Sequence, residues 1–388
     1  MIKKIKLLLS IFLITILFFE LISFVLTKNN LFIVNDTPSL YKEKTEFLDD
    51  GTYRNEKENW GAWRAKNASV RASSSCYDYV DSSNEIGARD SSFKNVLTNS
   101  WILLGDSFAE GFGVSNNVRS QAYIEKIINK KILNFSTAMH FGPVQYWTIY
   151  NELAKKYPHE GVLIFLLPMN DFTDNDYSYW KDNDITYIAN GAERYRPYYK
   201  KISDGDYVSF IPPDATKRDS LLYGVRSPFM QWMTKYFWAS NAFRTFQIIS
   251  LKNSLEKLPS NTSTNDSSSS KPYSGYFDAT LDQQKATVFY LEKIIKDANL
   301  KKITIVAIPT IEDFSRFQKG ERREKMLWWE TLNELEAKYS GRVKFIDLID
   351  NPPNGDLKNL SLPCDGHWGL EGNRWAGENI GQKMRKFN

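Results

Sequence analysis

Trp101-Ile102-Leu103-Leu104-Gly105-Asp106-Ser107-Phe108-Ala109-Glu110-Gly111-Phe112-Gly113 decides how this chain is read. A short apolar run suited to a buried strand stops at a glycine, an acid and a serine. The small and glycine residues that follow permit close backbone approach, and the next periodic stretch predicts a helix over 120–129. A serine in such a turn stands at the carboxyl end of a strand, where open α/β sheets hold their ligands. Ser107 is therefore the candidate nucleophile.

A serine hydroxyl attacks poorly until a base takes its proton. The chain has 3 histidines. His159 follows Lys155-Lys156-Tyr157-Pro158 in a polar turn and reads as a surface residue. His140 lies in the stretch 134–143. His367 lies in Cys364-Asp365-Gly366-His367-Trp368, between a predicted strand over 343–348 and a final helix over 371–386. It is the better base, because one loop delivers both the imidazole and the carboxylate of Asp365 that orients it. A further apolar run, 162–167, suits a strand buried on both faces and ends in Pro168-Met169-Asn170-Asp171. Asn170 thus places an amide donor at another strand end, where the oxyanion of a tetrahedral intermediate needs one.

These segments together resemble the SGNH hydrolases, also called the GDSL family of lipases and esterases. Gly105-Asp106-Ser107-Phe108 is similar to the block that carries the nucleophile, 134–143 to the second, 168–171 to the third and 365–367 to the last. The resemblance implies that Ser107 is the nucleophile and an oxyanion donor through its backbone. It implies Asn170 as side-chain donor, His367 as base, Asp365 as its orienter, and no cofactor or metal. Three departures stand out. Met139 occupies the place of the usual oxyanion glycine, with Gly142 three residues later as a second candidate. Pro168 replaces a glycine, and Gly366 alone separates acid and histidine where the family usually has two residues.

The remaining pattern predicts an α/β fold. Strands are expected at 101–105, 131–135, 162–167, 302–308 and 343–348, with helices at 144–156, 281–298 and 321–339. Such alternation predicts a doubly wound parallel sheet of about five strands with helices on both faces, as in SGNH and flavodoxin-like folds. With 388 residues, 42% hydrophobic and 25% charged, the chain can bury one substantial core and an accessory region. A net charge of +4, without a basic cluster interleaved with aromatics, argues against nucleic acid as a partner.

Lys3, Lys4 and Lys6 precede an apolar stretch, 7–26, long enough to cross a bilayer. Positive residues ahead of it keep the amino end in the cytoplasm and place the rest outside. No small-residue cleavage site or lipobox cysteine follows, so an uncleaved single-pass anchor in the inner or cytoplasmic membrane is expected, with the carboxyl-terminal domain periplasmic or extracellular. Glu20 inside the span marks either an interhelical contact or the outer boundary. In an exported chain, the 2 cysteines, Cys76 and Cys364, are candidates for a disulfide.

The expected organisation is a cytoplasmic tail over 1–6, an anchor over 7–27, an amino-terminal extracytoplasmic segment over 28–100 and a hydrolase domain over 101–388 with an insertion over 172–280. Residues 82–90 read as a loop leading into the domain. Within the insertion, 177–210 reads as one or two hairpins, 221–258 as an amphipathic aromatic-rich helical cap, and 259–272 as a flexible linker. The aromatics of the cap are expected to pack on the domain core rather than on a membrane surface or an acyl chain. The sequence reading is an exported, membrane-anchored serine esterase acting on acyl esters, with O-acetyl groups of envelope or extracellular carbohydrate the suggested class. Acyl transfer to a glycan hydroxyl is one alternative. A non-catalytic envelope scaffold or glycan-binding protein is the other, and Ser107, Asn170 and His367 speak against it.

Overall fold

The computed structural model describes residues 2–29, 31, 54–74, 76–137, 140–183, 195–213, 215, 232–233, 236–243, 246 and 273–387. They belong to two compact units that interleave in sequence. One comprises 47–71, 80–224 and 271–388, the other 1–46, 72–79 and 225–270.

The larger unit is organised by β1 (Trp101–Leu104), β2 (Ile132–Asn134), β3 (Gly161–Leu166), β4 (Lys302–Ala307) and β5 (Val343–Asp347). They form one sheet in the order β5-β4-β3-β1-β2; every neighbouring pair is parallel, as the sequence predicts, while the order itself comes from the structure. Every residue of β1, β2 and β3 is buried, which is why β1 and β3 read as unbroken apolar runs instead of alternating ones.

Side-chain alternation along the strands still divides the core into two layers. Ile102, Leu104, Val162, Ile164, Ile303 and Ile305 face one way. They pack against helices Pro143–Glu152, Leu281–Asp297 and Leu327–Lys338. Trp101, Leu103, Leu163, Phe165, Val306 and Ile346 face the other way, onto helices Ser120–Ile128 and Leu370–Phe387. Helices therefore cover both faces. Register aligns Leu104 with Ile164, and Leu166 with Ala307, so the carboxyl ends of three adjacent strands open onto a common edge.

Ahead of β1, Arg54–Glu58 pairs antiparallel with Gly61–Arg64, and the expected loop over 82–90 carries Arg89 into the interior. After β3, the expected hairpin region contains a helix, Tyr177–Asn183, and one antiparallel hairpin of Tyr198–Ser203 with Asp206–Phe210. The serine-rich linker and most of the aromatic-rich cap lie outside the described residues.

In the smaller unit, helix Ile2–Lys28 contains an apolar stretch, Lys3–Lys28, whose most apolar 18 residues have a mean hydropathy of 2.6 and are 0% buried. Glu20 does make an interhelical contact. Its carboxylate accepts the backbone N–H groups of Trp238, at 2.6 Å, and Ala239, at 3.0 Å. Among the cap aromatics, buried Trp238 packs edge-on against Phe24 of the amino-terminal helix, with ring centroids 5.8 Å apart.

Candidate active site

The turn after β1 is shaped by Gly105. A Cβ there would stand 2.5 Å from the Cβ of Ala109 and 3.1 Å from that of Phe165, so only glycine lets the chain bend this tightly against β3. Asp106 then caps the short helix Ser107–Glu110 by accepting the N–H of Phe108 at 3.0 Å. Ser107 begins that helix, 8% exposed, with its hydroxyl at the sheet's carboxyl edge.

The second arm is the loop before helix Leu370–Phe387. Leu362 and His367 are tied by a 2.7 Å backbone bond, and the N–H groups of Asp365 and Gly366 both turn back onto the Leu362 carbonyl. Gly366 sits at φ +85°. That left-handed turn explains the unusual one-residue spacing, because it folds His367 back over Asp365. One carboxylate oxygen, Oδ1, accepts both the backbone N–H of His367, at 2.9 Å, and the Nδ1–H of its ring, at 2.8 Å. The other ring nitrogen, Nε2, lies 2.7 Å from the Ser107 Oγ. Phe108 and Phe112 flank the imidazole at centroid distances of 5.0 and 4.7 Å. Burial alone would raise the Asp365 carboxyl, but the hydrogen bond and charge of His367 hold it below the usual carboxylate range.

Asn170, on helix Pro168–Asp174 after β3, donates through Nδ2 to Asp106 Oδ2 at 3.3 Å. An amide has two N–H donors, so one remains for an oxyanion. The other two oxyanion candidates fare differently. Met139 lies outside the described residues. Gly142 is a correction: its N–H is taken by Gln145 Oε1 at 3.1 Å, because Gly142 caps the helix that follows.

Two further histidine expectations meet the structure. His159 is not on the surface. It is 5% exposed, with Nε2 3.1 Å from the Tyr150 hydroxyl and Nδ1 2.7 Å from the Tyr157 carbonyl, and burial lowers its proton affinity. The polar turn around it is covered by packing that its neighbours in sequence do not reveal. His140, at φ +63°, places Nδ1 3.5 Å from Asp174 and its ring 4.4 Å from that of Trp180, and does not bond Ser107.

Beneath the site lie groups that sequence reasoning missed. Glu110, three residues after Ser107, is fully buried and paired with Arg54 and Arg64. Arg54 and Arg89 also reach Asp81, at 3.0 and 3.1 Å, and Arg64 Nη1 contacts the Ser136 carbonyl at 3.5 Å. Arg89 donates to the carbonyls of Glu110, at 3.0 Å, and Gly111, at 2.6 Å. Burial opposes ionisation of Asp81 and Glu110, yet the surrounding guanidinium groups hold both carboxyls below their ordinary values. Nothing local marks them in the sequence, because Arg54, Arg64 and Arg89 are spread through the lead segment at no regular spacing.

A second carboxylate group is arranged the opposite way. Burial pushes Asp106 up to about 6, with the Asp174 carboxylate adding to the rise and the Phe108 N–H and His367 opposing it. Burial, with the Asp106 charge, also raises Asp171 well above its ordinary value, although Asp171 accepts the Tyr146 hydroxyl at 2.6 Å and the Leu167 N–H at 2.7 Å.

No protein-family model matches this chain, nor does any curated protein. Among solved structures the chain is similar to a lipolytic protein of the G-D-S-L family from Desulfitobacterium hafniense DCB-2, at 13% identity over 73% of this chain and 98% of that one, TM-score 0.33. It is similar to a lipase/acylhydrolase from Enterococcus faecalis at 12% identity, covering 74% and 96% of the two chains, TM-score 0.36. A carbohydrate esterase family 2 enzyme from Corynascus thermopiles is matched at 9% identity over 76% of this chain and 67% of that one, TM-score 0.36. At such scores the chemistry of the site rests on its own hydrogen bonds.

Proposed function

We propose that this chain is an exported, membrane-anchored serine hydrolase that cleaves or transfers acyl groups through an acyl-enzyme. The observation that carries the reading is the continuous relay from Ser107 Oγ to His367 Nε2, at 2.7 Å, and from His367 Nδ1 to Asp365 Oδ1, at 2.8 Å. Such a relay has the geometry of a nucleophile, a general base and an orienting acid.

Ser107 Oγ attacks the ester carbonyl carbon as its proton passes to His367 Nε2, and Asp365 stabilises the resulting imidazolium. The negative charge formed on the carbonyl oxygen is met by the backbone N–H of Ser107 and the remaining N–H of Asn170. Collapse breaks the bond to the alcohol, which leaves with the proton from His367. Water, or a sugar hydroxyl, then attacks the acyl-serine with His367 again as base and releases the serine. The assembled relay favours this chemistry over a scaffold role.

An acylated envelope or extracellular carbohydrate, O-acetyl esters among them, is the proposed substrate, supported by the apolar amino-terminal helix that fits an export anchor. Neither cysteine is a free thiol, which fits an oxidising compartment.

The test is labelling of the folded protein with a serine-directed fluorophosphonate, followed by peptide mapping. The adduct is expected on Ser107 and absent in Ser107→Ala, which should also lose ester cleavage by at least about a thousandfold. No adduct on folded protein, or undiminished cleavage by Ser107→Ala, overturns the assignment. Product analysis with and without a glycan acceptor then separates hydrolysis from transfer.

A further inference from the structure

The aromatic-rich cap meets the amino-terminal helix at one face of that helix. Glu20, Phe24, Thr27 and Lys28 follow the i, i+4, i+7, i+8 spacing of a single helical stripe. Against this stripe lies the start of the helical stretch 238–243. Both oxygens of Glu20 are engaged, one by the N–H of Trp238 and one by the N–H of Ala239. Trp238 is 2% exposed, Phe24 meets its ring edge-on, and the Lys28 ammonium stands 5.9 Å from the ring centroid. Thr27 is buried at 3%.

A carboxylate within an apolar span is costly, and so is a helix start whose N–H groups face hydrocarbon. Here each satisfies the other: the carboxylate sits on free N–H donors at the positive end of the helix. At 1.5 Å per residue, Glu20 lies roughly 12 Å along the helix from Lys28, so the contact falls within the outer part of the span. A solvent-exposed helix has water for its first N–H groups and needs no such partner.

Opposite the buried Trp238 and Asn241, the same segment displays large rings outward. Trp232 is 49% exposed, Phe243 57% and Phe246 61%. Counted from Trp238, where this helical stretch begins, Phe243 and Phe246 fall on one side of a helical wheel and Trp238 and Asn241 on the other. The side chains of the apolar helix next to them are exposed as well: Leu17 is 67%, Phe18 58% and Leu21 60% exposed.

We infer that the helical stretch that starts at Trp238, held in the outer leaflet by Glu20, is a second, interfacial membrane-contacting element, with Phe243, Phe246 and the preceding Trp232 against lipid. The occupant of this ring face is the boundary between lipid headgroups and acyl chains, where aromatic side chains concentrate. Continuity with the lipid-facing surface of the anchor carries the assignment, which rests on the anchor reading above.

The full chain, reconstituted in vesicles of phosphatidylethanolamine and phosphatidylglycerol, tests this with the photocrosslinking amino acid p-benzoylphenylalanine placed singly at Phe243, Phe246, Phe18 or Leu300. Leu300 is 86% exposed in the larger unit and serves as the aqueous control. Lipid adducts at positions 243 and 246, several-fold above those at 300 and comparable with those at 18, are expected. Adducts at 18 with none above the 300 level at 243 and 246 overturn the interfacial helix while leaving the anchor standing. Absence of adducts at 18 removes the anchor and the inference together. A further variant, Glu20→Ala, is expected to reduce adducts at 243 and 246 without reducing those at 18, and unchanged adducts there would exclude Glu20 as the holding group.

Discussion

Ser107 and His367 reach the same 2.7 Å contact from opposite surroundings. The serine is 8% exposed and stands on a strand end wedged by Gly105 and underlain by Glu110, Arg64 and Arg89. The histidine side chain and its Asp365 partner are each 25% exposed, on a loop held by a few backbone bonds and a left-handed glycine. One arm derives its geometry from the core, the other from a local turn. Damage to the first should appear as lost stability, whereas damage to the second should appear as lost turnover in a protein that remains folded.

The largest expected effect breaks the loop arm. His367→Ala should lower kcat about as far as Ser107→Ala, and the double variant should be little worse, because groups that act as one unit are not additive. Among the described residues Asp365 alone bonds His367 Nδ1, so Asp365→Asn should also cost on the order of a thousandfold or more. Steady-state kinetics on a chromogenic acetate, with unfolding curves alongside, read both quantities. A melting temperature that collapsed with activity would show that the loop is structural and erase the contrast between the arms.

Next comes the core arm. Arg64→Met removes a buried cation that faces Glu110, Asp81 and the Ser136 carbonyl, and should destabilise the larger unit by about 3 kcal/mol. Denaturant unfolding checks this. Stability within a few tenths of the parent chain would mean that Arg54 and Arg89 suffice, and that the clamp beneath Ser107 is redundant.

A smaller effect separates the two sets of buried carboxylates by pH. Asp106 is raised to about 6 by burial, so between its unfolded value and pH 6 the folded chain keeps a proton that the unfolded chain has released. Its contribution to stability is therefore greatest at low pH and is lost as pH rises through 6. Asp81 and Glu110 are lowered, so theirs is present above about pH 4.5 and is lost as pH falls. Asp106→Asn should gain relative to the parent as pH rises from about 4 to 7, by on the order of 2 kcal/mol. A difference constant across that range would show that Asp106 does not titrate on folding.

The smallest effect probes the Gly366 turn. A Cβ at this position meets nothing within 4 Å, so Gly366→Ala tests backbone conformation without a clash. Strain at φ +85° should cost about 1 kcal/mol, read as a several-fold fall in kcat with little change in KM. Unchanged kcat would mean that the loop holds Asp365 and His367 together without the left-handed turn.

The sheet was legible because its inner strands bury both faces, and a run such as 162–167 admits little else between polar turns. The nucleophile turn and the Asp-Gly-His loop were legible because steric and turn chemistry are local: Gly105, Asp106 and Gly366 act on residues next to them in sequence. Other features depended on distance in the chain. The polar surroundings of His159 gave no sign that Tyr150 would cover it, and nothing in the residues around Gly142 says that the Gln145 side chain folds back onto its N–H. Nor does the apolar spacing of the cap say that Trp238 meets Phe24, 214 residues earlier in the chain.

By itself the sequence determined the order of strands and helices, the chemistry at the strand ends and the apolar length of the amino-terminal helix. Tertiary structure alone decided that Arg54, Arg64 and Arg89 converge on Glu110 and Asp81, that Ser107 meets His367 across 260 residues, and that Glu20 receives the start of a helix 218 residues away. The physical reason is that periodicity and turn propensity are short-range properties of the backbone. Pairing of buried charges depends instead on desolvation, which no residue experiences until the rest of the chain has closed around it.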